Sequence, residues 1–392
     1  MSTTAPPSAP PSVPPSAPAP VASLGRRILR SRVLAALASP HGVDRYLELV
    51  NPMWAAQEVR ARVVSVEREN PDCDPERSAA VATITLQPTA TWRGHRAGQY
   101  VQVGLDLPGS ARRMTRCFTI ASAASVPGER IELTVRAHAD GQVSRHLVTA
   151  EPGQIVHLSQ AQGEFTLAES PATPTNNHLL FITGGSGITP AMSIVRTLLR
   201  DGYDGRAGRR VTFLHYARSP EDQIFADELA SIAAADNDVT VHLRHGDHVF
   251  SEFELRRLVP RYRDTDTWAC GPAGLMELVG AAYAGGAERR LRTELFKAPR
   301  PTAGSAEGDV AFTRSGTVLA EAANSGATLL EQAEALGLTP EFGCRMGICF
   351  SCTTRKTEGT VRNVLTGATS SLPDEDIQIC VSAPEGDCAV EL

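Results

Sequence analysis

The sequence predicts a multidomain chain with three folded modules in series: an antiparallel β-barrel, an α/β domain on a parallel sheet, and a small α+β module at the end. Three observations carry this. Short strand-like runs separated by Gly/Pro turns fill residues 58–173, strands alternate with helices from His178, and five of the eight cysteines fall in the last fifth of the chain, Cys344, Cys349, Cys352 and Cys380 among them. A length of 392 residues is too much for one ordinary core. With 42% hydrophobic and 21% charged residues, the composition is that of a globular protein.

Residues 1–22 alternate Pro, Ala and Ser without charge and cannot bury enough surface to order themselves, so they are expected to form a disordered tail. They do not form the apolar block of a secretory signal. Residues 23–57 are expected to form a helical leader. Within it, 24–38 reads as a basic amphipathic helix, with Leu24, Ile28, Leu29, Val33, Leu34 and Leu37 at helical spacing among Arg26, Arg27, Arg30 and Arg32. Such a helix suits packing on the protein's own body or contact with an anionic membrane surface.

The barrel strands are expected at Val59–Val66, Ala80–Leu86, Tyr100–Leu105, Arg116–Ile120, Ile131–Val135 and Ile155–Leu158. The parallel sheet is expected from Leu179–Thr183, Val211–Tyr216, Val239–Leu243 and Asp266–Ala269. Helices Ala191–Leu199, Phe225–Ile232, Ser251–Leu258 and Ala273–Tyr283 lie between and after them. A Pro/Gly/Ala/Ser linker over 301–308 leads to strands Asp309–Arg314 and Thr317–Ala320 and helix Leu329–Leu336.

The net charge of −6 argues against a general nucleic-acid binder. Charge is uneven: residues 304–392 hold 13 acidic and 5 basic side chains, a balance that suits either a solvated face or docking on a basic partner. No apolar run approaches the roughly 20 residues that span a bilayer. Clustered cysteines in such a chain point to metal binding in a reducing cytoplasm, not to a disulfide framework.

Those cysteines read Cys344-x4-Cys349-x2-Cys352, followed by Cys380. Four thiolates in this spacing satisfy a [2Fe–2S] cluster, two on each iron, whereas zinc sites usually pair two C-x2-C units and only one is present. Gly343 precedes the first ligand, and Arg345, Met346, Gly347 and Ser351 lie between ligands, where small or flexible residues let the loop turn its N–H groups inward. Cys73 and Cys388 need no special role. Residues 309–392 resemble a plant-type ferredoxin domain, which implies a β-grasp fold and a low-potential one-electron centre.

The run Arg116-Cys117-Phe118-Thr119-Ile120-Ala121-Ser122 resembles the flavin strand of the ferredoxin–NADP reductase superfamily. The resemblance implies that Arg116 neutralises the FAD diphosphate, Phe118 stacks on the isoalloxazine and Thr119 hydrogen-bonds its N5/C4 edge. Gly141-Gln142-Val143-Ser144 resembles the superfamily's Gly-x-x-Ser turn and is expected to open a short helix, Arg145–Val148, toward the pyrophosphate. Gly98-Gln99-Tyr100 matches the strand leading there.

Gly184-Gly185-Ser186-Gly187-Ile188-Thr189-Pro190 follows a buried strand and opens a helix, so its backbone can approach cofactor phosphates closely. It is similar to the superfamily's nicotinamide motif, as is its companion Cys270-Gly271-Pro272. By that resemblance Cys270 lies where hydride crosses from nicotinamide to flavin, and Thr119 and Cys270 are the catalytic candidates. Arg218 and Ser219, after the second strand, suit the 2′-phosphate of NADPH, while nearby Glu221 and Asp222 keep NADH as an alternative. Glu294 and Phe296 resemble the superfamily's Glu-x-Phe element beside the flavin.

The resemblance implies an NAD(P)H-dependent reductase with an FAD barrel at 58–173, an NAD(P) domain at 174–300 and a ferredoxin domain at 309–392. Electrons would leave for a separate acceptor protein. Pro40-His41-Gly42-Val43-Asp44-Arg45-Tyr46 and Leu49-Val50-Asn51-Pro52 look like the leader of reductases serving membrane fatty acyl-CoA desaturases. That implies a cytoplasmic protein held at the inner membrane surface through residues 24–38. The alternatives are a reductase for a soluble Rieske-type or other oxygenase, and a redox-sensing module without turnover.

Overall fold

The computed structural model describes residues 43–70, 79–106, 113–138, 141–168, 170, 173, 176–201, 209–296, 306–348 and 350–392. The tail at 1–22, the basic segment 24–38, Cys73, Cys349 and most of the linker lie outside them. The chain divides into two units, Met1–Glu58 and Val59–Leu392. In the first, helix α1 (Val43–Val50) is closed against its own following turn by Asp44. The buried Asp44 carboxylate accepts the backbone N–H groups of Ala56, Gln57 and Glu58.

The second unit holds three sheets. In the first, strands β1 (Val59–Arg68), β2 (Val81–Pro88), β3 (Tyr100–Leu105), β4 (Met114–Thr119), β5 (Ile131–Arg136) and β6 (Ile155–Leu158) pair antiparallel in the order β4-β3-β6-β1-β2-β5. A bridge between Ile120 and Leu133 brings the end of β4 back to β5, so the sheet nearly closes. Alternation drives it: Ala82, Ile84 and Leu86 on β2 all face the barrel core, beside Val101, Val103 and the fully buried Trp92. The short helix α2 (Gln142–Val148) begins three residues earlier than the sequence suggests and plugs Val143 and Leu147 into that core.

The second sheet is wholly parallel. Its strands β7 (His178–Gly184), β8 (Arg210–Ala217), β9 (Val239–His245), β10 (Asp266–Cys270) and β11 (Leu291–Glu294) run in the order β11-β10-β7-β8-β9. Helices α3 (Ile188–Arg200), α4 (Ala226–Ala234), α5 (Glu252–Leu258) and α6 (Ala273–Tyr283) connect or follow them. The continuous apolar run of β7 reflects burial on both faces: Leu179 and Phe181 enter one core, Leu180 and Ile182 the other. Helix α3 starts at Ile188 and not at Ala191, because Pro190 falls in the first turn, where a missing N–H costs nothing.

The third sheet is mixed. Strands β12 (Asp309–Arg314), β13 (Thr317–Ala323), β14 (Thr353–Asn363), β15 (Thr369–Ser370), β16 (Glu375–Gln378) and β17 (Ser382–Glu391) surround one helix, α7 (Leu329–Ala335). β12 and β17 pair in parallel, and α7 begins at a capping box between Thr328 and Glu331. β11, β14 and β17 were not expected from the sequence. β14 buries only Lys356 and Val361, so it shows no apolar alternation. Lys356 is fully buried because its ammonium donates to the carbonyls of Gly359, Ser370 and Leu372.

Candidate cofactor sites

β4 pairs with β3 along its length, Arg116 opposite Val103 and Thr119 opposite Tyr100. Unlike β3, it stays half-buried from Met114 to Phe118, with only Thr119 buried. One partly open strand thus presents a cation, an aromatic ring and a hydroxyl, a set that fits FAD. The Arg116 guanidinium donates to the Thr115 carbonyl at 2.8 Å and lies over the ring of Phe342, 4.5 Å from its centroid. Burial and then the neighbouring Arg345 lower its pKa. In the turn before α2, Ser144 Oγ donates to the Gly141 carbonyl and accepts from His138 N–H. A Cβ on Gly141 would fall 2.4 Å from that oxygen, so the turn needs glycine.

The two glycine motifs of the parallel sheet meet. β7 and β10 are neighbours with Thr183 opposite Cys270, so both strands end at one edge. A Cβ on Gly187 would lie 2.2 Å from the Cys270 carbonyl oxygen, and one on Gly184 2.9 Å from both Leu275 and Pro272. Gly271 packs equally closely on Leu275 and the Gly184 backbone. Gly185 takes the left-handed conformation at φ +53°. Thr189 and Pro190 are buried in the first turn of α3, where Thr189 Oγ1 donates to the Ser186 carbonyl. Bare backbone of this kind, at a strand end and a helix start, fits a dinucleotide.

Cys270 is fully buried, and burial with the nearby Glu294 raises its thiol pKa, so it stays a neutral thiol. Glu294 is its register partner on β11. The Glu294 Oε2 is shielded from solvent and has no hydrogen-bond partner among the described residues, and burial pushes the carboxyl up to about 8. Phe296 follows β11 and is 38% exposed. At the end of β8 the exposed Arg218 pairs with Asp222 at 3.2 Å. Asp222 also meets Arg136 of the barrel at 3.4 Å, and its N–H donates to Ser219 Oγ.

Helix α3 joins the two halves through a polar stripe that the sequence reading passed over. Ser193 Oγ donates to the Ser122 carbonyl at 2.7 Å and accepts from Gly98 N–H. Arg196 donates to the Ala121 carbonyl and to Glu132 on the barrel side, and to both oxygens of Glu228 on its own side. Thr197 accepts from Ala124 N–H, and Arg200 donates to the Ala124 carbonyl. Ser, Arg, Thr and Arg at i, i+3, i+4 and i+7 were the available signal.

In the third sheet Cys344, Cys352 and Cys380 are buried. The thiol contact with Cys352, then burial, then the charge of Cys352 and Cys344 push the Cys380 pKa far up, against an opposing N–H from Gly347. Met346 N–H donates to Cys344 Sγ at 3.3 Å. Arg345, Gly347 and Phe350 all adopt positive φ, and the Gly347 N–H donates to the Cys380 sulfur. Thiols that resist ionisation alone, with the N–H groups of Met346 and Gly347 beside Cys344 and Cys380, have the chemistry of iron–sulfur ligands, while among the described residues no group of three such side chains is gathered to hold a metal. Cys388 stands apart in β17, its thiol raised to about 11 by burial.

Comparison with known proteins agrees with this division. The chain matches an oxidoreductase FAD-binding domain over residues 76–167, an oxidoreductase NAD-binding domain over 181–280 and a 2Fe-2S iron-sulfur cluster binding domain over 312–385. It is 37% identical to an NADPH oxidoreductase of Mycobacterium tuberculosis, over 92% of this chain and 91% of that protein. It is 28% identical to a glycine betaine monooxygenase reductase subunit of Pseudomonas aeruginosa, over 76% and 87%. Among solved structures, phthalate dioxygenase reductase shares the fold with a TM-score of 0.56 at 22% identity, over 85% of this chain and 97% of that one. With its three cofactor domains in this order, the chain belongs to the family of NAD(P)H-dependent oxidoreductases that join an FAD–NAD reductase to a plant-type [2Fe–2S] ferredoxin domain.

Proposed function

We propose that this electron-transfer reductase is fed by NADPH and serves a membrane fatty acyl-CoA desaturase. The supporting observation is at the start of the chain. α1 and the turn after it expose Tyr46, Leu49, Val50 and Trp54, at 48%, 76%, 72% and 53%. They follow the basic run 24–38, a pairing of cations with aromatic and aliphatic side chains that suits an anionic lipid surface. NADPH is supported by Arg218 and Ser219 and by the name of the Mycobacterium tuberculosis relative.

Bound FAD and nicotinamide would supply hydride chemistry, and a bound cluster one-electron chemistry. The chain's own task is placement. Arg116 and the turn Gly141–Ser144 would hold the FAD diphosphate, with Phe118 and Thr119 against the ring. Gly184, Gly185, Gly187, Thr189, Pro190, Gly271 and Pro272 would shape the nucleotide path, and Arg218 and Ser219 its adenosine end. Cys270 would close the nicotinamide pocket, with Phe296 beside it. Cys344, Cys349, Cys352 and Cys380 would carry the iron. Neutral Cys270 and Glu294 keep charge away from the point of hydride transfer, and no acid–base dyad is needed.

The test is NADPH-dependent desaturation of an acyl-CoA by host membranes supplied with the purified holoprotein. Removing residues 23–57 is expected to lower desaturation about tenfold through lost local concentration while cytochrome c reduction is kept. The same preparation should prefer NADPH to NADH in kcat/KM. Desaturation indifferent to the deletion, or a preference for NADH, refutes the corresponding half of the proposal. A soluble oxygenase as recipient is the second reading, favoured by the monooxygenase reductase subunit among the relatives.

A further inference from the structure

Phe342 lies two residues before the first cysteine of the cluster loop and packs on the core of the third sheet. Its ring also meets two guanidinium groups at cation–π distance. Arg345, from the cluster loop itself, lies 4.0 Å from the ring centroid, and Arg116, from strand β4 of the barrel, lies 4.5 Å from it. Arg345 is anchored in turn by a two-pronged ion pair with Glu334 on α7. A continuous stack therefore runs from the strand assigned to the flavin, through one aromatic ring, into the loop assigned to the cluster.

Two like charges beside one ring are tolerated because each guanidinium is attracted to the ring's π-electrons and Glu334 neutralises one of them. Without the ring, Arg116 and Arg345 would simply repel. The stack is thus directional: it brings the cluster loop to β4 only when an aromatic side chain stands at position 342.

We propose that Phe342 is a positioning residue for internal electron transfer, clamping the cluster loop onto β4 between Arg116 and Arg345 so that the flavin-to-cluster distance is fixed. The step it serves is balanced: NADPH gives the flavin two electrons and a proton as hydride, and one electron then leaves the reduced flavin as one reaches the oxidised cluster. Phe342 carries no redox group of its own, so its assigned part is placement. The proposal concerns the internal relay and is independent of which protein receives the electrons.

The experiment uses holoprotein with measured flavin and iron content. Phe342→Ala removes the ring, Phe342→Leu keeps the apolar side chain in the core but cannot stack, and Phe342→Tyr restores stacking. Stopped-flow absorbance after mixing with NADPH separates flavin bleaching from cluster reduction. Flavin bleaching should match the unaltered protein in all three. Cluster reduction should slow about tenfold in the Ala and Leu variants and recover in the Tyr variant, as a desolvated cation–π contact would dictate. Amide hydrogen exchange over Met114–Thr119 should quicken in the Ala and Leu variants alone. If Phe342→Ala fails to hold its cluster, Phe342→Leu decides. Cluster reduction at the unaltered rate in Phe342→Leu, or equal slowing in Phe342→Tyr, overturns the proposal.

Discussion

The nicotinamide turn and the cluster loop both use left-handed backbone, for opposite reasons. At the end of β7 the chain dispenses with side chains: a Cβ on Gly187 or Gly271 would strike the facing strand end, one on Gly184 would strike Leu275 and Pro272, and Gly185 turns at φ +53° without penalty. In the cluster loop Arg345 and Phe350 hold φ +59° with full side chains, at a cost of about 1 kcal/mol each. The first site is shaped by polypeptide packing alone. The second draws on an ion pair and a ring contact, and its thiols are the ones proposed to carry iron. One is a mould and the other a clasp.

That contrast can be broken at three strengths. Cys380→Ser should abolish the iron–sulfur absorbance and drop cytochrome c reduction to background, while NADPH still bleaches the flavin. Loss of bleaching as well would mean that the two sites do not stand independently. Gly187→Ala should do the reverse. Forcing a Cβ into the Cys270 carbonyl displaces the strand ends, and a shift of about 1 Å costs about a hundredfold in flavin bleaching, with iron content unchanged. Bleaching at the normal rate would show that the mould is softer than its packing implies.

The smallest effect concerns Glu294. Its carboxyl stays protonated in the fold up to about pH 8, against 4.5 when unfolded. Between those values the folded chain binds the extra proton, so stability falls as pH rises through the window. Glu294→Gln removes the dependence. The unaltered protein should therefore melt progressively below the variant from pH 5 to pH 8, ending a few degrees lower. Parallel melting curves would mean that the carboxyl finds a compensating partner.

What the sequence revealed divides along the same line. The glycine motifs and the cysteine spacing were legible because their chemistry dictates residue type at fixed local intervals. The doubly buried β7 was legible because burial on both faces leaves an unbroken apolar run. Hidden were contacts between segments far apart in the chain. Nothing near Phe342 announces Arg116, and nothing in Ser193 or Arg196 announces Ser122 or Ala121. β14 was hidden for a different reason: one of its two buried residues is Lys356, which reads as a surface side chain until three carbonyls are found around its ammonium.

The polar stripe on α3 bears on how this chain could be cut into transferable parts. Severing the barrel from the parallel sheet would strand Arg196 with half its acceptors gone and leave the Ser122 and Ala124 carbonyls to water. The third sheet, by contrast, closes over a core of its own. A protein engineer seeking exchangeable pieces would find one usable border in this unit, just ahead of Asp309, and would have to move the barrel and the nucleotide sheet together as a single cassette.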